Sequence, residues 1–179
     1  MSTVTIKDKS FETYLSEETI QTRIKEISEQ INIDYRDGRP FFIAILNGSF
    51  MFAADLFKHL KVDAEICFIK LASYEGLKST GNVVTSIGLD EDLYGKEVII
   101  VEDIVDTGKT LNAFLPQLKH QQPASLSIAA LLHKPEAIIF PLNIEYTGFN
   151  IPTKFVVGYG LDYANHYREL PFIGYIDVH

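Results

Sequence analysis

The chain has 179 residues, 46% of them hydrophobic, and carries a formal net charge of −8 at neutral pH. This length and composition indicate one domain with a sizeable buried core, and the acidic charge argues against nucleic acid as a partner. No apolar run is long enough to cross a membrane, and the first residues lack the apolar core of a secretion signal, so we expect a cytoplasmic protein without a membrane partner.

The first predicted element is an amphipathic helix that begins after Ser16. Ser16 suits the N-cap position, and Glu17 and Glu18 place negative charge in the first turn. Isoleucine then recurs every three or four residues, at Ile20, Ile24, Ile27 and Ile31. Gly38 and Pro40 end this unit.

Strands and helices alternate along the rest of the chain. A buried strand is predicted at residues 41–46, a turn at 47–49 and a helix at 50–60. Further strands are predicted at about 64–71, 83–88, 97–102, 125–132 and 155–158, with a helix at about 109–120. This order is typical of an α/β fold, with a central, mostly parallel sheet flanked by helices.

Two single residues carry expectations of their own. Pro116 lies inside the predicted helix at 109–120, where it predicts a kink or a shortened first segment. Cys67 is the only cysteine, so an internal disulfide is excluded, and its apolar neighbours favour a buried thiol in a strand.

The most informative stretch covers residues 98–110. A strand with the sequence VIIV runs directly into Glu102 and Asp103, and the turn DTGKT follows at 106–110. Small hydroxyls, a glycine and successive backbone N–H groups at the start of a helix predict a phosphate site. The turn is not a nucleoside-triphosphate loop, because the first glycine of that motif would fall at Asp103.

The acids before this turn predict a sugar and a metal. Glu102 and Asp103 would repel a phosphate unless hydroxyls or a divalent cation stood between them. A ribose diol together with Mg²⁺ meets both needs, since carboxylates accept hydrogen bonds from hydroxyls and bind hard cations. Asp106 lies between the acid pair and the rest of the phosphate turn, where it would reach a nucleobase bound at the anomeric carbon of the sugar. Taken alone, Asp106 would be read as a helix N-cap. The acid pair, taken alone, would be read as part of a solvated loop. The combination of the three acids with the turn favours a catalytic site.

These residues resemble the type I phosphoribosyltransferases, whose fingerprint is two hydrophobic residues, two acids and an Asp-Thr-Gly-Lys-Thr turn. Four further segments, at residues 46–56, 73–83, 131–134 and 154–170, resemble the hypoxanthine-guanine branch of that family. The resemblance implies the type I phosphoribosyltransferase fold as a single domain over 1–179. Its core would cover about 35–160, and a small hood would combine the N-terminal segment with about 161–179.

The resemblance also implies a reaction in purine salvage. The enzyme would transfer 5-phosphoribose from 5-phosphoribosyl 1-pyrophosphate to N9 of hypoxanthine, and of guanine as well, giving IMP or GMP and pyrophosphate. Asp106 would be the general base, and Mg²⁺ the cofactor. The ribose and the 5-phosphate would be bound by Glu102, Asp103, Asp106, Thr107, Gly108, Lys109 and Thr110. Relatives of this kind form homodimers or homotetramers.

By the same resemblance, four residues would hold the purine. Lys134 would contact its 6-oxygen, Phe155 would stack on its ring, backbone groups at Val156 would read its edge, and Asp162 would lie beside it. Asp162 would also join Glu102 and Asp103 as a metal ligand. The plainer alternatives are a surface lysine at 134, a core aromatic at 155 and, for Asp162 with Arg168, an exposed ion pair.

The pyrophosphate side would be formed by Leu46, Asn47, Gly48 and Arg168. The family usually has a lysine where this chain has Asn47, so we expect activity to survive with weaker affinity for pyrophosphate. A non-proline cis peptide bond is expected before or at Asn47. Ser73 and Tyr74 would belong to a lid, with an ordinary polar surface loop as the alternative.

Two other functions stay open on the sequence. One is a sister enzyme that acts on xanthine. The other is a non-enzymatic regulator that binds RNA on the same fold, which would need a basic face that this acidic chain does not obviously offer.

Overall fold

A computed structural model describes residues 3–6, 9–74 and 83–176, and in these residues the chain forms three α-helices and ten strands. The helices are α1 (Glu17–Asp34), α2 (Phe50–Lys58) and α3 (Lys109–His120). The strands are β1 (Thr3–Ile6), β2 (Lys9–Leu15), β3 (Phe41–Leu46), β4 (Glu65–Tyr74), β5 (Val83–Ile87), β6 (Glu97–Val105), β7 (Ser125–His133), β8 (Tyr146–Asn150), β9 (Val156–Val157) and β10 (Ile173–Ile176). None of the helices in these ranges is long and apolar enough to cross a membrane.

The larger sheet has the strand order β5-β4-β3-β6-β7-β8. Five neighbouring strands pair in parallel, in the order β4, β3, β6, β7 and β8. The sixth strand, β5, pairs antiparallel with β4 at one edge. Parallel sheets are covered on both faces, which explains the continuous apolar runs of β3 and β6. The predicted α/β class, with a mostly parallel sheet flanked by helices, is confirmed.

Helices cover both faces of this sheet. On one face α1 and α2 bury a core that contains all four predicted isoleucines of α1, together with Phe42 and Phe52. The Ser16 side chain caps α1 as predicted, accepting the Thr19 N–H at 3.2 Å. On the other face α3 buries Leu111, Phe114 and Leu118 against the sheet.

Pro116 does not shorten α3, so that part of the expectation is wrong. The helix runs without interruption over the predicted range, although proline has no N–H to donate to the carbonyl one turn earlier. The three buried side chains of α3 lie on both sides of Pro116 in sequence. Their packing on the sheet outweighs the lost hydrogen bond.

A smaller sheet joins the two ends of the chain in the strand order β1-β2-β10-β9. All of its pairs are antiparallel. This sheet includes Val156–Val157 and therefore begins before residue 161, where the hood is expected to start. It places the segment that follows β9 beside the larger sheet.

The parallel strands bring the predicted site residues to one edge. Because β3, β6 and β7 are parallel neighbours, their carboxyl ends lie together, and ligands of α/β proteins bind at this edge. The turn at 47–49 follows β3, the turn at 106–108 follows β6, and Lys134 follows β7.

Candidate active site

The turn between β6 and α3 is shaped to receive an anion. Gly108 caps α3 with a φ of +78°, a conformation that favours glycine, and a side chain here would overlap the Phe140 carbonyl oxygen. The Thr107 carbonyl accepts the N–H groups of Ile139 and Phe140, both at 3.0 Å. The segment at 139–140 therefore holds the turn in place, and the Lys109 N–H at the start of α3 donates to Thr107 Oγ1 at 3.3 Å. The N-terminal end of a helix is a favourable place for a phosphate.

A cavity of about 310 Å³ opens beside this turn. Its walls include seven of the predicted site residues: Leu46, Glu102, Asp106, Thr107, Gly108, Lys109 and Thr110. Apolar side chains complete the lining at Ile45, Leu71, Ile104, Val105 and Leu111. The predicted phosphate turn and part of the predicted pyrophosphate turn thus share one pocket.

Of the acid pair, Glu102 lines the pocket, and the Asp103 carboxylate lies against Gly48 in the turn after β3. Glu102 is only 8% exposed, and burial, reinforced by the neighbouring charge of Asp103, raises the pKa of Glu102 well above its usual range. The Asp103 carboxylate accepts the Ile104 N–H at 2.8 Å. Two adjacent carboxylates in this setting favour a cation or hydroxyl donors, and as hard oxygen ligands they fit Mg²⁺.

Lys134 and Asp106 form the pair that the purine site would require. The Lys134 ammonium donates to Asp106 Oδ2 at 3.0 Å. Lys134 is 7% exposed, so the alternative of a surface lysine is wrong. Asp106 is not the N-cap of α3, since Gly108 has that position, and its side chain remains 48% exposed toward the cleft.

Phe155 is not a core residue, contrary to the plainer alternative. Its side chain is half-exposed, and its ring packs edge-on against Tyr163 with the ring centroids 6.1 Å apart. Val156, the next residue, is buried in β9. An exposed aromatic face of this kind is able to stack on a planar base.

The turn after β3 packs tightly between two other parts of the site. The peptide bond between Leu46 and Asn47 is cis, as predicted. A side chain at Gly48 would overlap the Asp103 carboxylate, and a side chain at Gly160 would overlap the Gly48 carbonyl oxygen. Gly48 therefore lies between the acid pair on β6 and the segment after β9.

Arg168 and Asp162 belong to that segment. One terminal nitrogen of the Arg168 guanidinium donates a hydrogen bond to the Gly160 carbonyl at 2.7 Å. The other terminal nitrogen forms an ion pair with Asp162 Oδ1 at 3.0 Å. Both side chains are partly buried, so the pair is not the exposed ion pair of the plainer alternative. Arg168 reaches the turn at 46–48 through Gly160.

The predicted metal trio of Glu102, Asp103 and Asp162 is not gathered in the structure. Within residues 3–6, 9–74 and 83–176, no three acidic, histidine or cysteine side chains are grouped so that they would hold a metal. Asp162 is engaged elsewhere, because its other oxygen accepts the Asn165 N–H at 2.7 Å. Metal binding by Glu102 and Asp103 stays a prediction, in which Mg²⁺ would take its remaining ligands from substrate phosphates and water.

Ser73 and Tyr74 end strand β4. The rest of the predicted lid, at 75–82, lies outside the described residues. The assignment of a lid stays a prediction.

Sequence reasoning missed Tyr159, Gly160 and Asp55, which connect the parts of the site. Gly160 touches Gly48, and the buried Tyr159 hydroxyl donates to Asp55 on α2 at 2.5 Å. The available signal was the Gly-Tyr-Gly sequence directly after a buried strand, since two glycines around one aromatic residue indicate a close backbone approach.

Comparison with known proteins gives consistent matches. The family model of the phosphoribosyl transferase domain matches residues 10–164. The chain is 48% identical over 163 residues to a hypoxanthine phosphoribosyltransferase of Buchnera aphidicola subsp. Schizaphis graminum, covering 89% of the chain and 92% of the relative. It is 43% identical over 166 residues to the Escherichia coli K12 hypoxanthine phosphoribosyltransferase, covering 91% and 93%. The crystal structure of a hypoxanthine-guanine phosphoribosyltransferase from Bacillus anthracis superimposes with a TM-score of 0.84 at 42% identity, over 92% of this chain and 96% of that one.

Proposed function

Because the chain belongs to the phosphoribosyltransferase family, we propose that it transfers 5-phosphoribose from 5-phosphoribosyl 1-pyrophosphate to N9 of hypoxanthine and guanine. The products are IMP or GMP and pyrophosphate. The enzyme is a phosphoribosyltransferase of purine salvage, and its substrates are small molecules. The observation that carries the choice of base is the pairing of buried Lys134 with Asp106 next to the phosphate turn.

The sugar is held from two sides. The backbone amides of residues 106–110 bind the 5-phosphate, aided by the Thr107 and Thr110 hydroxyls and the Lys109 ammonium. Glu102 and Asp103 accept hydrogen bonds from the ribose hydroxyls. The position of Glu102 in one pocket with the phosphate turn supports this arrangement, because one phosphorylated ribose would span both.

The same two carboxylates would hold Mg²⁺. When bound, the cation would neutralise charge on pyrophosphate as it leaves. The turn at 46–48 and the Arg168 guanidinium bind the pyrophosphate, for which a planar guanidinium is well suited. Asn47 supplies no charge where the family usually has a lysine, so we expect weaker binding of pyrophosphate.

Asp106 and Lys134 act on the purine. Asp106 takes a proton from N7 of the purine while N9 forms the bond to the anomeric carbon. Lys134 leaves its contact with Asp106 and donates to the 6-oxygen, where negative charge develops. The ion pair of the free enzyme thus separates so that each partner contacts the base.

Lys134 also sets the choice of base. An ammonium offers only donors, so it matches the 6-oxygen of hypoxanthine and guanine. Adenine carries an amino group at that position, which would leave the buried ammonium unpaired. Phe155 stacks on the purine ring, backbone groups at Val156 read its edge, and Asp162 lies beside it.

We further propose that the enzyme is cytoplasmic and forms a homodimer or homotetramer, with a hood built on the smaller sheet. Light scattering on the purified protein measures the number of subunits. A monomer at assay concentration would contradict the proposed assembly.

A panel of bases tests the proposed reaction. Hypoxanthine, guanine, xanthine and adenine are each incubated with 5-phosphoribosyl 1-pyrophosphate and Mg²⁺, and nucleotide formation is followed by absorbance. We expect turnover with hypoxanthine and guanine, none with adenine, and loss of turnover when a chelator removes the cation. Preference for xanthine would assign the sister specificity. RNA binding without turnover of any base would assign the regulator.

A further inference from the structure

A partly buried hydrogen-bond network ties the segment after β9 to the helix that follows the pyrophosphate turn. Tyr159 is only 1% exposed, and its hydroxyl donates to Asp55 Oδ2 at 2.5 Å. The same oxygen accepts from Gln21 Nε2 at 2.7 Å, and Oδ1 accepts from Lys58 at 2.7 Å. One carboxylate therefore joins α1, α2 and the turn at 158–160.

This network closes a path through the site. Gly48 leads through Ser49 into α2, and Asp55 lies on α2. Asp55 holds Tyr159, the next residue is Gly160, and Gly160 rests on the carbonyl oxygen of Gly48. The path thus returns to the turn from which it started.

The start of α2 is fixed to the same turn. Ser49 is buried, and its hydroxyl donates to the Ile45 carbonyl at 2.6 Å. The Ser49 carbonyl accepts the Ala53 N–H at 2.8 Å. A displacement of Tyr159 relative to Asp55 would therefore shift Gly160 relative to Gly48.

We propose that Tyr159 and Asp55 are positioning residues for the pyrophosphate site. Their hydrogen bond holds Gly160 against Gly48 and so sets the spacing between the turn at 46–48 and Arg168, which is bound to the Gly160 carbonyl. Neither residue touches substrate. The inference rests on the proposed function, in which this turn and Arg168 bind pyrophosphate.

Charge makes this hydrogen bond strong enough for the role. Hydrogen bonds to an ionised acceptor are shorter and stronger than neutral ones, and a buried hydroxyl without a partner is unfavourable. Replacing Tyr159 with phenylalanine would keep the ring packed but release the turn from Asp55. The spacing across the pyrophosphate site would then widen, while the purine contacts at Lys134 would be untouched.

The chain contains a matched control. Tyr146 is also buried, and its hydroxyl donates to Asp34 at 2.6 Å, joining β8 to α1. This bond has the same chemistry as that of Tyr159, but Tyr146 and Asp34 have no place in the path through Gly48. A variant at Tyr146 therefore reports what the loss of a buried tyrosine hydroxyl does by itself.

The test compares Tyr159→Phe with Tyr146→Phe in the full-length enzyme. For Tyr159→Phe we expect the KM for 5-phosphoribosyl 1-pyrophosphate to rise by about tenfold. We expect the KM for hypoxanthine, and kcat at saturation, to change by no more than about twofold. Tyr146→Phe should lower the melting temperature comparably and leave both KM values unchanged.

Calorimetry with pyrophosphate and Mg²⁺ separates this inference from the proposed function. If the unmodified enzyme binds pyrophosphate and Tyr159→Phe binds it more weakly than Tyr146→Phe does, the positioning role is supported. If both variants bind it equally well, the positioning role is wrong and the proposed function stands. If the unmodified enzyme does not bind pyrophosphate, the proposed function of the turn is itself wrong. Should Tyr159→Phe fail to fold, Asp55→Asn serves in its place, with the same split between the two KM values expected.

Discussion

The Lys134 ammonium and the Asp106 carboxylate form an ion pair, and in the proposed reaction both act on the purine. Their contact at 3.0 Å joins the end of β7 to the phosphate turn after β6. Asp106 was predictable because it follows an acid pair within a distinctive turn. The ion pair was not predictable, since Lys134 lies 28 positions further along the chain and carries no local signal of burial.

Replacing the general base Asp106 with its isosteric amide should remove most of the catalytic activity. In Asp106→Asn the amide keeps the shape of the side chain but accepts no proton. We expect kcat to fall by roughly two to four orders of magnitude with little change in fold. Steady-state kinetics measure the first effect, and circular dichroism measures the second. An unimpaired Asp106→Asn enzyme would remove Asp106 from the mechanism.

Replacing Lys134 should weaken discrimination between bases more than it alters folding. In Lys134→Gln the side chain offers a carbonyl as well as an amide donor, so it accepts a 6-amino group. We expect the ratio of kcat/KM for hypoxanthine to kcat/KM for adenine to fall by about 100-fold. Competition assays with the two bases measure this ratio. A ratio equal to that of the unmodified enzyme would place the selection of the 6-substituent elsewhere.

At the scale of elements, the accuracy of prediction follows the strength of the apolar pattern. Helix α3 and strand β3 have their predicted bounds because each has apolar residues at the spacing of its own structure. Strands β1, β2, β8 and β10 were missed, since β1, β8 and β10 have five residues or fewer and β2 pairs with β10, a partner distant in sequence. Pro116 shows the converse, because packing kept a helix that local propensity disfavours.

The stability of the junction of α1, α2 and the turn at 158–160 should depend on pH. Burial raises the pKa of Asp55, but the hydrogen bonds from Lys58, Tyr159 and Gln21 outweigh it, and the net pKa is lowered. A carboxyl whose pKa is lower in the folded state stabilises the fold above its unfolded pKa. That stability is lost as the pH falls through the folded pKa.

We therefore expect Asp55→Asn to lower the free energy of unfolding at neutral pH. The gap between the two proteins should narrow as the pH falls below about 4, the usual pKa of an aspartate. Urea unfolding at several pH values measures this gap. A gap independent of pH would mean that the charge of Asp55 has no part in holding the junction.

At the scale of the molecule, the site forms where three turns and one segment from the smaller sheet meet. The order of strands and helices predicts that the turns after β3, β6 and β7 share an edge, because parallel neighbours end together. It does not predict the contact of Gly160 with Gly48, which depends on how the smaller sheet packs. In the proposed function, an acidic chain would thus bind anions through backbone amides and a few cations gathered at this edge.

The location of a bound nucleotide tests the central claim most directly. A crystal structure with IMP and Mg²⁺ should show the 5-phosphate on the amides of residues 106–110 and the ribose hydroxyls at Glu102 and Asp103. The purine should lie against Phe155 with its 6-oxygen at Lys134. A nucleotide bound at another place, with this pocket left empty, would contradict the account.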